Sequence, residues 1–183
     1  GGFAKLNRIG YTMGNAEVAS LLNSLTFRWL GVAGIELISN EHTLLVDPFF
    51  TRPPFRKVLL GRVNPDEELV SRHIQIGDLI LITHSHYDHL MDVPVVARKT
   101  GATVMGSGNT CRLLEICGVP VEQLRQIQSG DQFSLNGFNV EVFPSHHIRL
   151  PIYRPGQLKP TLRPPLRLVD YRMDESFSYS IHI

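Results

Sequence analysis

Apolar and polar positions along this chain alternate between a helical and an extended period. Val18, Leu21, Leu22 and Leu25 recur at helical spacing behind Asn15, which predicts a helix over 15–25 after a glycine-rich lead-in. Short apolar runs at 27–30, 35–39 and 43–46 predict strands, with a hairpin turn at Asn40, Glu41 and an exposed His42. Residues 49–63 hold three Phe, Arg52, Arg56, Lys57, Arg62 and Pro53-Pro54 without any period. They read as a loop that offers aromatic surface and positive charge beside a site. Asn64-Pro65-Asp66-Glu67 predicts a helix start, with Asn64 as cap and Pro65 first in the helix. A β-branched strand at 78–82 follows, then a helix over 92–99 and a strand at 102–105. The next helix, over 110–117, stops at Gly118. Asn136-Gly137 joins strands 132–135 and 138–143 as a hairpin, and 176–183 reads as a last strand. The alternation of strand and helix predicts an α/β fold.

The strand at 78–82 does not end in ordinary turn residues. It runs into Thr83-His84-Ser85-His86-Tyr87-Asp88-His89, three imidazoles and a carboxylate within six residues. In an extended segment residues two apart point the same way, so His84 and His86 can grip one ion together. Asp88 and His89 come where the chain turns, and can face a second ion beside the first. Neutral imidazole suits zinc, and imidazole mixed with carboxylate also suits iron or manganese. With 8 His in the chain, such a motif is expected by chance about once in 1,500 sequences of this composition, so it carries weight. A third ligand is needed to hold an ion with one position open. Strand 138–143 ends in Pro144-Ser145-His146-His147, where adjacent residues point oppositely and one imidazole of the pair can ligate.

The segment from Thr83 to Leu90 resembles the signature of the metallo-β-lactamase superfamily. It is most similar to its lactonase-like and N-acylphosphatidylethanolamine phospholipase D-like metal-dependent hydrolases. The resemblance extends from about Phe27 to the end of the chain. It implies an αββα sandwich, of which this chain supplies the first half: a mixed sheet with helices on one face. Residues 1–26 would be a lead-in and helix, and 27–183 a domain incomplete at its C-terminus. The half-sandwich would leave an apolar sheet face uncovered, which favours self-association. The resemblance favours His147 over His146 as third ligand, and gives Asp47, in Leu-Val-Asp-Pro, a supporting role behind the metal loop. It also implies a bridging carboxylate and a further His on later strands. Asp170, Asp174 and His182 are poor matches for these, and Gly31-Val32 stands where the family often has Gly-His.

The implied chemistry is metal-assisted hydrolysis of an ester, lactone, amide or phosphodiester, with one or two zinc ions and Asp88 orienting the attacking water. Arg149 and Arg154 open a stretch with six basic residues and one acid, which suits an anionic small-molecule substrate. A non-catalytic metal-binding or interaction domain is the alternative, and a nuclease of the same superfamily the second. A net charge of +1 argues against nucleic acid as partner. Composition adds little else: 43% apolar and 19% charged residues suit an ordinary globular protein. No apolar run spans a bilayer. Cys111 and Cys117 fit neither a disulfide framework nor a zinc knuckle, and read as small core residues. No leader is recognisable, and a cytoplasmic location is the expectation.

Overall fold

Among the described residues, two sheets stacked face to face carry a layer of helices on one side. A computed structural model describes residues 25–56, 61–147 and 155–183, and the backbone of strand β1 (Ala4–Leu6). The larger sheet runs in chain order through β1, β2 (Leu25–Gly31), β3 (Gly34–Ser39), β4 (His42–Val46), β5 (Leu79–Leu81), β6 (Thr103–Gly106) and β7 (Leu124–Gln126). β1 to β4 pair antiparallel, while β4 to β7 pair parallel. The parallel part needs crossovers, and helices α1 (Glu67–His73), α2 (Tyr87–Leu90), α3 (Val93–Thr100) and α4 (Gly108–Ile116) lie within them. The smaller sheet has the order β10 (Phe177–His182), β9 (Phe138–Pro144), β8 (Gln132–Leu135).

β5 sits in the middle of the larger sheet, and all three of its residues are fully buried. A strand covered on both faces reads as a continuous apolar run, as Leu79-Ile80-Leu81 does. Ile80 faces the helices, among Val70 of α1, Val96 of α3 and Leu113 of α4. Leu79 and Leu81 face the second sheet and pack with Phe138, Val140, Val142 and Phe177. Two cores therefore grip β5 from both sides, and its C-terminal end is a stiff support.

Several sequence expectations shift here. The second sheet covers the face of the larger sheet that was expected to lie bare. Its own outer face carries Gln132, Ser134, Asn139 and Ser178, all exposed, with Phe143 among them. Inward apolar and outward polar residues alternate along β9, as a sheet wetted on one side requires. The lead-in holds a strand: Ala4–Leu6 pairs with Phe27, Thr26 and Leu25. The expected helix over 15–25 lies outside the described residues, except that Leu25 begins β2. Asp66, rather than Asn64, caps α1, its Oδ1 accepting the Leu69 amide at 2.9 Å. Ser107 caps α4, which starts two residues earlier than its apolar period suggests. His42 is only half-exposed, 3.7 Å from Asp78.

Candidate metal centre

β4 and β5 run parallel, so their C-terminal ends lie side by side. Ligands gather in such places in open α/β sheets, because loops leave there while the strands hold their roots. β4 ends in Asp47, fully buried and with a left-handed φ of 43°. Asp tolerates that region better than most side chains do. β5 ends in Ile82-Thr83, and Thr83 donates its amide to Asp47 Oδ1 (2.8 Å) and its hydroxyl to Asp47 Oδ2. His89, on α2, donates from Nδ1 to the same Oδ2 at 2.7 Å. One carboxylate thus fixes both ends of the segment 83–89.

The proton positions follow from this network. The Thr83 hydroxyl proton is committed to Asp47, so at 3.0 Å the His84 Nδ1 must be the donor to Thr83 Oγ1. His84 Nε2 is then the nitrogen with a free lone pair. It is buried and has no hydrogen-bond partner among the described residues. In its neutral form His89 likewise has its free lone pair on Nε2, since its Nδ1 carries the proton to Asp47.

His147 follows β9 and reaches the same place. Its ring centre lies 4.7 Å from that of His84 and 4.5 Å from that of His86. His84, His86 and His147 each offer a nitrogen, all within 4.8 Å of one another. The neighbouring His146 is exposed and does not join them. The His89 ring lies 3.9 Å from that of His84, and Asp88 stands beside it on α2 with a buried Oδ1 that lacks a partner among the described residues. Three imidazole nitrogens within reach of one another, with a buried carboxylate oxygen nearby, fit a soft-to-borderline divalent cation. Arg149 and Arg154 fall outside the described residues.

Electrostatics favour neutral rings at His84 and His86 and work the other way at His89. Burial, then the charges of His89, His86 and His147, depress the pKa of His84 to about 2. Burial, then His147 and His89, depress that of His86 to about 3. Burial also works to lower His89, but the Asp47 hydrogen bond and the charges of Asp47 and Asp88 outweigh it, and its pKa rises.

Some supports had no signal in the sequence. Ser85 Oγ donates to the Arg172 carbonyl at 2.7 Å, which ties the histidine loop to the segment before β10. Tyr179 donates its hydroxyl to the Ile82 carbonyl at 2.6 Å, and the Phe177 amide bonds the Thr83 carbonyl. Asp92, expected only as a helix start, does not cap α3. Its Oδ2 accepts the amides of Phe50 and Thr51 instead, at 2.6 and 2.8 Å, and so holds the loop after Asp47. A long-range partner of this kind leaves no local trace.

The model of the Beta-lactamase superfamily domain matches residues 42–178, most of the chain and all of this cluster. The chain belongs to the beta-lactamase superfamily. Within it, the chain is 29% identical over 119 residues to a metal-dependent hydrolase of Methanopyrus kandleri, covering 65% of this chain and 46% of that protein. It is 31% identical over 126 residues to a metal-dependent hydrolase of Pyrobaculum arsenaticum, covering 67% of this chain and 51% of that protein. The chain spans about half the length of these curated relatives. A metallo hydrolase of Ignicoccus hospitalis shares the superfamily's fold with it, at a TM-score of 0.55 and 18% identity over 86% of this chain and 55% of that one.

Proposed function

We propose that this chain carries the metal-binding half of a hydrolase, in which His84, His86 and His147 hold a first zinc ion and Asp88 and His89 a second. The convergence of the three imidazoles at the end of β5, with His84 Nε2 buried and unsatisfied, is the observation that carries this reading. The names of the relatives support it, since the similar proteins of M. kandleri and P. arsenaticum are metal-dependent hydrolases. Three imidazole ligands favour zinc, with manganese or iron as alternatives once Asp88 joins. When bound, such an ion acidifies water to a pKa of about 7 and polarises the oxygen of a carbonyl or phosphoryl group.

The residues of this chain do the rest. Asp47 keeps the protons of Thr83 and His89 pointed away from the centre, so the lone pairs of His84 and His89 point into it. Asp88 Oδ1 supplies an acceptor that orients the attacking water. Depressed pKa values keep His84 and His86 deprotonated at neutral pH. The substrate is an ester, lactone, amide or phosphodiester small enough to enter a cluster this buried.

Metal analysis of the full-length protein, paired with a hydrolysis screen over those four bond types, tests the reading. The expected result is bound zinc with turnover, and loss of at least one ion and of turnover in His86→Ala. Bound metal without turnover on any of the four would leave a metal-binding module and defeat the hydrolase reading.

A further inference from the structure

A cavity of about 320 Å³ opens beside the loop that leaves Asp47, and it contains none of the metal-centre residues. Pro53, Pro54 and Pro65 wall it, and Arg52 and Arg62 both border it. Proline walls are already restricted in the unfolded chain, so this shape is set at little further entropic cost.

Both arginines are held from behind. Arg52 Nη1 donates to the carbonyls of Phe49 (3.3 Å) and Thr51 (3.1 Å), and its guanidinium carbon sits 4.7 Å over the Phe49 ring. Gly31 passes so close that a Cβ there would come within 3.2 Å of Arg52 Nη2. Arg62 Nη1 donates to the Pro165 and Arg163 carbonyls. A guanidinium has five N–H donors in a rigid fork, and each arginine anchors itself through Nη1 alone. Among the described residues, Nε and Nη2 of both make no hydrogen bond, and neither arginine forms an ion pair. Arg28, Arg72, Arg98 and Arg112 all do. Asp66 also borders the cavity, but its Oδ1 is engaged in capping α1. The buried Asp92 carboxylate feels the charge of Arg52 while bonding the Phe50 and Thr51 amides. Both residues are exposed, and two anchored cations with spare donors at one cavity suit a compact oxyanion.

We infer that Arg52 and Arg62 form an anion site that takes a phosphoryl or carboxylate group, distinct from the metal centre. The anion is either a part of the substrate or a free ion. The loop 47–52 joins this site to Asp47, so a substrate bound at both would be held at its charged end and its scissile bond.

Calorimetric titration of inorganic phosphate into the full-length protein, as isolated and after metal removal, tests this. One saturable site that survives metal removal is expected. Arg52→Gln should weaken it at least tenfold, and Arg52→Lys, which keeps the charge but loses the fork, by less. Arg62→Gln should act alike; because Arg62 also holds the 163–165 carbonyls, the Arg52 variants decide if it misfolds. No binding, binding that vanishes with the metal, or binding indifferent to Arg52→Gln would each overturn the inference. His86→Ala should keep phosphate binding while losing hydrolysis, which separates failure here from failure of the hydrolase reading. Phosphate that raises KM for an anionic ester but not for its neutral counterpart identifies the anion as the substrate's own. Saturable binding without such competition identifies a free ion.

Discussion

Asp47 governs the centre without being a ligand in the proposed arrangement. It receives two donors from Thr83 and one from His89, and through Thr83 it fixes the tautomer of His84. Asparagine keeps its shape and tolerates its positive φ, but would replace one acceptor oxygen with a donor NH₂. Asp47→Asn should leave the far-UV spectrum unchanged and weaken zinc about 10–100-fold in chelator competition, the usual effect of removing a partner behind a ligand. Unchanged zinc affinity would contradict the relay. Protons make a second test at this scale. The folded-state pKa values of His84 and His86, about 2 and about 3, lie below the unfolded value of 6.5. Between these limits the unfolded chain binds more protons, so stability of the metal-free protein should fall as pH drops below 6.5. His89 works the other way. Its pKa is raised, so its contribution is fully present below 6.5 and fades as pH rises through its folded value. Two depressed groups outweigh one raised group. The urea midpoint of chelator-treated protein should drop from pH 7 to about pH 5, and less so in His86→Asn. Equal midpoints would rule out buried neutral imidazoles.

Among the elements, those with strong local patterns were legible and those made by distant partners were not. The Asn136-Gly137 hairpin matches its prediction because a two-residue turn is encoded within itself. β5 was legible because a strand buried on both faces has no polar positions to confuse its period. β7 carried no signal: Leu124-Arg125-Gln126 is three residues long and mostly exposed, and only its pairing with β6 makes it a strand. The start of α1 shows competition between neighbours. Asn64-Pro65 looked like cap and first turn, yet the Asp66 amide donates to Thr51 Oγ1, which fixes the helix entry two residues later. Asp66→Ala should therefore cost about 1 kcal/mol in urea denaturation, and Asn64→Ala close to nothing. The reverse order would restore the cap read from the sequence.

At the scale of the whole molecule, the cluster draws on three stretches that only the tertiary fold unites: Asp47 after β4, 83–89 after β5 and His147 after β9. The segment 83–89 was legible as a motif and Asp47 only through the family resemblance; the parallel pairing of β4 and β5 then puts their ends together. The choice between His146 and His147 could not be read from alternation alone, because it depends on how β9 leaves the second sheet. There the Ser145 amide bonds the Ser176 carbonyl, and His147 turns inward while His146 stays exposed. The second sheet thus has two roles: it seals the core against Leu79 and Leu81, and it brings His147 to the histidine cluster. Anomalous diffraction at the zinc edge from crystals of the zinc-loaded full-length protein tests the central claim most directly. The expected map has a peak bonded to nitrogens of His84, His86 and His147. A map with no peak among these three rings, or with His146 in place of His147, would contradict it.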